Sequence, residues 1–424
     1  MSHMKKILLF LLLFITIISC RKANMTEIRP MGENITDSTK ILLVEDKYPC
    51  MELVTGNAVC LNIPEEPDTK DWIIKAQRKY LPLETKEECL IGRIDKLESD
   101  GNQLFIFDES NSSVFRFSQK DGSFLNRIGN KGRGPGEYTG LADMSVDKKK
   151  KEVCLTDSRG FKLMYFNYDG NLLREEPFFY FYDKMEFIGD YLLVNTDQNR
   201  NVRVPAVNNN RFIIAKRDQT PLYVGFPYSE HLYDHFCQGI KFPFITCNED
   251  IYYNHVLSDT IWQIKNDGIC EAKYIFKFPG RDNLFNESDF QNITDEEYNN
   301  RIKNNLHYRD NVYITKDFLY ARIGNMSFIY CIPTGNHLYG MPYNEFFTRR
   351  NYNTPRFTLN GTSFVYVLQP FNLIKENLEI QNSYDENAYK YYWDKQLTEE
   401  ERQLLSNMTE EDNPILMIMD IEPF

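Results

Sequence analysis

The sequence predicts an all-β fold built from repeated units of short strands, and three observations lead to this prediction. Aromatic residues make up 14% of the 424 residues, with 27 Tyr and 30 Phe, and aromatic side chains favour the half-buried surface of a sheet. Two turns, Asp121-Gly122 and Asp169-Gly170, stand 48 residues apart between similar strand-like runs, and helical patterns are scarce. Because this period is typical of a propeller blade, we expect an all-β, six-bladed β-propeller.

The N-terminus predicts an export signal. Two lysines precede an apolar run at residues 7–18, which has the length of a signal peptide and is too short to cross a membrane. The run ends at Ser19-Cys20 and resembles the lipobox of bacterial lipoproteins, which implies cleavage before Cys20 and acylation of this cysteine. The alternative is an ordinary secretory signal. We expect a lipoprotein signal peptide at 1–19 and an N-terminal extension or tether at 20–79.

Residues 80–424 contain six candidate blades. The first two, at 103–129 and 152–175, share the order strand, turn, strand, Asp-Gly turn, strand, and an Asp-Gly pair between alternating runs is a strong hairpin signal. A polar segment rich in Asn and Glu at 281–310 is interpreted as an insertion. Weaker copies of the blade pattern begin at Tyr191, Ile251, Phe318 and Ser363.

The C-terminus predicts how the ring closes. Thr398 and Glu401 have the spacing of a capping box and open a helix that extends to Met408. Residues 414–419 then form an apolar strand. Because unpaired sheet edges invite aggregation, we expect this C-terminal closing strand to complete a blade begun by the other terminus, with residues 80–85 as a candidate partner.

A resemblance supports this fold. The loop Gly132–Tyr138, with the sequence GRGPGEY, and the strands that follow it resemble an NHL-type repeat. Together with Asp412-Asn413-Pro414 near the end, they make residues 80–424 similar to six-bladed β-propeller lipoproteins of the Bacteroides group. The resemblance implies this fold and a location in the cell envelope, but it implies no agreed activity.

The negative net charge argues against nucleic acid as a partner. The net charge is −12, whereas nucleic-acid affinity depends on basic side chains that neutralise phosphates. The only dense basic run, residues 148–151, follows Asp147 and is interpreted as a solvated hairpin tip. Residues 21–24 lack the acidic residues that some surface-exported lipoproteins carry after the cysteine. We therefore expect an outer-membrane anchor that faces the periplasm, with no nucleic-acid partner.

The loop Gly132–Tyr138 is the first candidate ligand-binding element. In NHL-like propellers such a loop lies on the face that carries the channel mouth, where Arg133, Glu137 and Tyr138 would reach a ligand. The alternative is purely conformational, because glycine permits positive φ and proline fixes φ. The loop lacks the pattern of a phosphate-binding loop.

Strand-end carboxylates are the second candidate element. The pattern indicates that Asp108, Asp157 and Asp197 end equivalent inner strands. Carboxylates around a pore suit a cation or a polar ligand. Capping of turns through nearby backbone amides is the alternative. Arg159, two residues after Asp157, is included among the candidates at the channel mouth.

No catalytic or metal-binding set emerges from the sequence. His231 and His235 have zinc-like spacing, but the glutamate that normally follows the first histidine is absent. No GxSxG or CxxC motif occurs. The pairs Cys50/Cys60 and Cys237/Cys247 are compatible with disulfides in an oxidising compartment, and the sequence leaves that pairing open.

We therefore expect a binding or assembly module for a glycan, peptide or partner protein, with no cofactor and with membrane contact only through Cys20. The alternative is a propeller hydrolase or lyase that uses calcium or zinc at the channel mouth. Fold alone does not decide between these functions.

Overall fold

The computed structural model describes residues 25–31, 41–68, 75–196, 199–228, 240–255, 258–265, 267–280, 312–324, 326–340 and 354–424, together with 294, 296–297 and 300. The insertion predicted at 281–310 lies almost entirely outside these residues. Also outside them are Cys20, Asp197, Cys237 and the pair His231 and His235.

The described N-terminal residues 25–31 and 41–68 lie along the outer rim of the molecule, and we call them the strap. β1 and β2 of the strap form an antiparallel hairpin. The first strands of the chain are β1 (Met25–Ile28), β2 (Leu42–Glu45), β3 (Glu52–Val54), β4 (Val59–Asn62) and β5 (Ala76–Pro82).

Three antiparallel blades come next, each with four strands. Blade 1 contains β6 (Lys96–Ser99), β7 (Gln103–Asp108), β8 (Ser113–Ser118) and β9 (Phe124–Arg127). A short parallel pair, β10 (Asn130–Lys131) and β11 (Glu137–Tyr138), lies in the loop that follows. Blade 2 contains β12 (Leu141–Asp147), β13 (Glu152–Asp157), β14 (Lys162–Asn167) and β15 (Leu172–Pro177). Blade 3 contains β16 (Lys184–Ile188), β17 (Tyr191–Asn195), β18 (Asn210–Lys216) and β19 (Pro221–Pro227).

Three further blades complete the predicted six-bladed propeller. Blade 4 contains β20 (Phe244–Cys247), β21 (Asp250–Tyr253), β22 (Thr260–Ile264) and β23 (Ile269–Lys277). Blade 5 contains β24 (Tyr313–Ile314), β25 (Phe318–Ile323), β26 (Met326–Cys331) and β27 (His337–Gly340). Blade 6 contains β28 (Phe357–Leu359), β29 (Ser363–Leu368), β30 (Ile415–Ile421) and, as its outer strand, β5.

The position of a strand in its blade explains its hydrophobic pattern. The first strands of neighbouring blades lie against one another around the central channel. The second strand β7 is apolar along its length because other blades cover both of its faces, whereas the outer strand β9 alternates between exposed and half-buried residues. A separate apolar core fills each space between blades, and Phe105, Leu155 and Phe166 belong to the core between blades 1 and 2.

The two Asp-Gly turns have the same role in two successive blades. Each joins the third strand to the fourth, and Gly122 and Gly170 have φ of 73° and 82°. A Cβ at Gly122 would collide with the carbonyl oxygen of Pro82, and one at Gly170 with that of Arg127. Glycine is therefore required at both turns for two reasons. The backbone is left-handed there, and it lies close to the outer strand of the preceding blade.

The ring closes as the sequence predicted, through strands from both ends of the chain. β30 lies antiparallel between β29 and β5, with Met417 opposite Tyr366 on one side and Tyr80 on the other. The partner strand β5 starts at Ala76 and ends at Pro82, so it covers only the first part of the expected segment 80–85.

The predicted C-terminal helix is confirmed, but it is preceded by two helices that the sequence did not reveal. The confirmed helix α3 (Glu399–Asn407) begins with the capping box of Thr398 and Glu401. α1 (Pro370–Ser383) buries few side chains, and Phe371 and Leu378 are exposed, so its apolar pattern is weak. α2 (Glu386–Tyr391) continues into a π-helical turn (Tyr392–Gln396), and a short 3-10 turn spans Glu87–Cys89.

The strap joins the outer edges of four neighbouring blades. Apolar residues of its hairpin, such as Ile28 and Leu42, are buried in the core between blades 2 and 3. β3 and β4 pair in parallel with β23, and Asp68 exchanges two hydrogen bonds with Tyr339 of blade 5. The thiols of Cys50 and Cys60 are both free. Within the described residues, no helix has the length and apolarity needed to cross a membrane.

Candidate functional site

Charged side chains from several blades converge on the face where the first strands begin and the second strands end. We call this face the channel mouth. One cavity of the mouth is lined by Lys96 of blade 1, Asp143 of blade 2 and Glu186 of blade 3, together with Lys241 and Phe242 before blade 4. A second cavity adjoins it, because Lys241 and Phe242 line both. Residues from at least four blades therefore line the two adjoining cavities of the mouth.

A lysine surrounded by three carboxylates occupies the first cavity. Lys96 Nζ lies 3.4 Å from Asp143 Oδ1, 3.4 Å from Glu98 Oε1 and 3.5 Å from Glu186 Oε2. The Lys96 side chain is only 16% exposed. We call these four residues the Lys96 network. If all four groups were ionised, their charges would sum to a net negative value in a poorly hydrated space.

The protonation of the Lys96 network follows from burial and from this excess of acid. Burial and the charge of Glu186 raise the pKa of Glu98 to about 8, although Lys96 opposes the shift. Burial disfavours the charged lysine, but Asp143, Glu186 and Glu98 outweigh that effect and raise the Lys96 pKa above its ordinary value. The surroundings therefore favour a charged lysine beside a protonated Glu98.

Hydrogen bonds from two backbone amides and one serine hydroxyl hold the carboxylates of the Lys96 network in place. Asp143 Oδ2 accepts a hydrogen bond from the Met185 amide at 3.0 Å, which links blades 2 and 3. Glu98 Oε2 accepts from the Val146 amide at 3.2 Å, which links blades 1 and 2. Glu186 Oε1 accepts from Ser145 Oγ at 3.1 Å. Each acid thus bridges two blades, and the network fixes the relative positions of blades 1 to 3 at the mouth.

Asp95 separates the two cavities. Its Oδ1 atom lies 2.7 Å from both Lys241 Nζ and Arg93 Nε, and its Oδ2 atom accepts from the Glu109 amide at 2.9 Å. Burial alone would raise the pKa of Asp95, but the bonds from Lys241, the Glu109 amide and Arg93 lower it below its ordinary value. Asp95 is therefore a charged, buried anchor for two cations.

The second cavity is a cleft of about 480 Å³ with a positive lining. Its charged lining residues are Arg93, Lys241 and Arg356, and we call it the cationic cleft. Arg93 and Lys241 are 60% and 45% exposed. Arg356 is exposed, and its guanidinium makes no ion pair or hydrogen bond with any residue that the structure describes. The other lining side chains are Ile94, Phe242, Tyr313, Thr354, Phe357, Tyr366, Val367, Gln369 and Asn372.

Asp108 and Asp157 lie at this face but are engaged with the backbone. The sequence interpreted them as ends of inner strands, and this was wrong, because they end the second strands β7 and β13. Asp108 accepts from the amides of Gly92 and Asn111 at 2.7 and 3.1 Å. Asp157 accepts from the amides of Thr139, Gly140 and Gly160 at 2.9 to 3.0 Å. Each carboxylate thus connects the segment that leads into its blade with the turn between the second and third strands.

The loop Gly132–Tyr138 folds on itself between blades 1 and 2. Glu137 Oε2 accepts from the Gly134 amide at 2.7 Å, and the Gly132 amide donates to the Tyr138 carbonyl at 2.9 Å. Tyr138 is fully buried in the core between these blades, and burial raises its pKa to about 12. Arg133 and Arg159 are exposed. The residues that line the two cavities come from other parts of the described chain.

The sequence analysis missed the residues that form the mouth. Lys96 and Glu98 alternate with Leu97 and Ser99 in β6. Both charged side chains face blade 2, while Leu97 enters the core between blades 6 and 1. Charged residues among apolar ones in the strands before the first three recognised units were the available signal. Among the described residues, no group of three His, Cys, Asp or Glu side chains has a metal-binding arrangement.

Comparison with solved structures shows the same fold elsewhere. The chain is similar to a "putative exported protein" from Bacteroides fragilis, with a TM-score of 0.65, 20% identity, and coverage of 86% of this chain and 100% of that one. A member of the DUF4221 family from Bacteroides vulgatus aligns with a TM-score of 0.48 and 11% identity, over 84% of this chain and 100% of that one. At these identities the likeness shows the fold alone. No curated protein matches the sequence significantly.

The family is shown by the sequence itself. Residues 70–420 match the family described as "Domain of unknown function (DUF4934)". This range begins just before β5 and ends within β30, so it contains all six blades. The protein therefore belongs to the DUF4934 family.

Proposed function

We propose that this protein is an exported, non-catalytic binding module that recognises its ligand at the channel mouth. The observation that carries the proposal is the convergence of charged side chains from successive blades on two adjoining cavities at one face. Ligand sites are typically concave, with a few polar groups fixed in direction among apolar walls. The Lys96 network and Asp95 supply such fixed groups.

We further propose that the module is anchored in the outer membrane through acylated Cys20 and faces the periplasm. The apolar run that ends at Ser19-Cys20 supports the anchor. A lipid chain contributes about 0.8 kcal/mol per buried methylene, so multiple acylation holds a protein firmly at a membrane. The propeller then presents its mouth to a glycan, a peptide or a partner protein in the envelope.

The location of the site is tested with a matched pair of charge-reversal variants of residues 21–424. The change Lys241→Glu places a negative charge at the junction of the two cavities, whereas Lys149→Glu does so at an exposed turn of blade 2. Wild type is screened against glycan and peptide arrays and against purified envelope proteins. We expect at least one ligand, with its affinity lowered about tenfold or more by Lys241→Glu and unchanged by Lys149→Glu.

Either of two results would contradict this function. If no ligand binds the folded wild-type domain in any screen, the binding role is wrong. If ligands bind but both variants bind them as the wild type does, the channel mouth is not the site. Circular dichroism melting of both variants shows whether each remains folded.

A further inference from the structure

Within the part of the chain that the structure describes, the cationic cleft carries more positive charge than the neighbouring acids neutralise. Asp95 lies beneath Arg93 and Lys241, is only 2% exposed, and is shared by both cations. Arg93 also approaches the exposed Glu109 at 3.6 Å. Arg356 lines the same cleft as a third cation, in a chain whose net charge is −12. The cleft is thus a local positive region in an acidic protein, and a bound anion would complete its charge balance.

The donors of the cleft suit a carboxylate. A guanidinium presents a planar fork that binds a carboxylate through two parallel hydrogen bonds. The Arg356 fork is not used by any described residue. Lys241 donates one hydrogen bond to Asp95 and, as an ammonium group, has two further donors. The cleft therefore offers a bidentate partner and a point charge for the same anionic group.

The walls of the cleft suit a sugar ring. Phe242 is half-buried and packs against the buried Phe357 with ring centroids 5.6 Å apart, and the accessible part of Phe242 offers an apolar surface for one face of a pyranose. Thr354, Gln369 and Asn372 supply hydroxyl and amide groups that both donate and accept, as sugar hydroxyls require. A volume of about 480 Å³ lies within the usual range for small-ligand sites, about 300–1,000 Å³.

An extended acidic peptide fits this geometry less well. Peptides that bind sheets add a strand to an exposed edge through several main-chain hydrogen bonds. The first strands beside the cleft are short, with two residues in β24 and three in β28. On the outer rim, β3 and β4 of the strap already pair with the outer strand of blade 4. The cleft thus favours a compact ring over an extended chain.

From these observations we propose that the cationic cleft binds the carboxylate of an acidic sugar, a uronic acid residue within a short glycan. The carboxylate lies against Arg356 and Lys241, and the ring lies against the aromatic wall. This inference rests on the proposed function, since it assigns a ligand class to the same channel mouth.

The test uses isothermal titration calorimetry on residues 21–424 with two acidic probes, a digalacturonate and a glucuronate-containing disaccharide. Their neutral counterparts, which lack the carboxylates, serve as matched ligands. We expect at least one acidic probe to bind, with an affinity that falls as salt rises. Arg356→Gln lowers this affinity about tenfold or more, and Arg356→Lys, which keeps charge but loses the fork, has an intermediate effect. Lys149→Gln, at the exposed turn of blade 2, leaves the affinity unchanged.

Several outcomes would overturn the assignment of an acidic sugar. These are equal binding of acidic and neutral disaccharides, no effect of Arg356→Gln on a folded variant, tighter binding of an acidic hexapeptide, or no binding of either uronate at millimolar concentration. If the screens find a neutral or protein ligand whose binding requires Lys241, the acidic-sugar assignment is wrong but the proposed function stands. Absence of any ligand in the array screens would remove both.

Discussion

Single residues at the channel mouth combine structural and electrostatic roles. Lys96 and its three carboxylates connect blades 1, 2 and 3 around a poorly hydrated space. Removing one partner from a buried ion cluster is costly, because the remaining charges lose their compensation. Such a cluster keeps the wall of the mouth rigid, and a rigid wall lowers the entropy lost when a ligand binds.

The raised pKa of Glu98 predicts a specific pH dependence of stability. The folded protein keeps the Glu98 proton up to about pH 8, whereas the ordinary pKa of the side chain is 4.5. Between these values the unfolded chain binds fewer protons than the folded one, so the contribution of Glu98 to the free energy of unfolding falls as pH rises. Glu98→Gln mimics the protonated acid and removes this loss.

Thermal and urea unfolding at several pH values measure the effect. We expect Glu98→Gln to approach the wild type near pH 5 and to exceed it at pH 8 by about 4 kcal/mol, because each unit of raised pKa corresponds to about 1.4 kcal/mol. Glu88→Gln, at an exposed acid on the 3-10 turn, serves as the control and should leave the profile unchanged. A Glu98→Gln profile parallel to that of the wild type would show that this carboxyl does not carry the proton.

At the scale of elements, the closing sheet depends on a short polar junction as well as on its strands. Asn413, just before β30, is 3% exposed and contacts three backbone groups of the segment after β5. Its Oδ1 accepts from the Ile91 amide at 2.8 Å, and its Nδ2 donates to the carbonyls of Glu84 and Cys89 at 2.8 and 2.9 Å. One side chain thus joins the two ends of the chain where the ring closes.

The junction at Asn413 predicts a marked loss of stability on substitution. Asn413→Ala leaves buried backbone groups without partners, and we expect a decrease of about 2–3 kcal/mol in the free energy of unfolding. Asn413→Asp keeps the acceptor but loses both donors, so its decrease should be similar. Asn407→Ala, at the exposed end of α3, serves as the control. Urea denaturation measures all three, and a loss below about 0.5 kcal/mol for Asn413→Ala would exclude the role of a closing junction.

At the scale of the whole molecule, the strap links the predicted anchor to the propeller. Residues 21–24 separate Cys20 from Met25, where the described part of the strap begins. Even a fully extended chain covers at most about 17 Å over this distance. Because the hairpin of the strap packs between blades 2 and 3, acylation would hold this side of the rim close to the membrane.

Acylation of Cys20 predicts a clear fractionation result. In cells supplied with labelled palmitate, we expect the wild type to carry label and to sediment with membranes. Cys20→Ala should lose the label and appear in the soluble fraction, because a single change removes the acceptor thiol. Cys50→Ala, at an exposed cysteine of the strap, should keep both properties. Label or membrane association that persists in Cys20→Ala would show that the chain is not anchored at this residue.

Several features could be predicted from local sequence because local physics determines them. The Asp-Gly turns, the alternation in the outer strands and the capping box at Thr398 depend on neighbouring residues only, and each led to the correct element. The period of 48 residues identified the blade, and the count of six strand-like units along the chain gave the number of blades. α1 was missed because it buries little apolar surface and so carries little periodic signal.

The sequence by itself therefore determined the all-β class, the repeated blade and the closing strand of this protein. Only the tertiary structure decided where Arg93, Lys241 and Arg356 meet, because they stand far apart in the chain and follow no common local pattern. The same is true of the Lys96 network, which draws acids from three blades. A blade repeats through local hydrogen bonds and packing, whereas a site at the axis forms only when the ring brings distant first strands together.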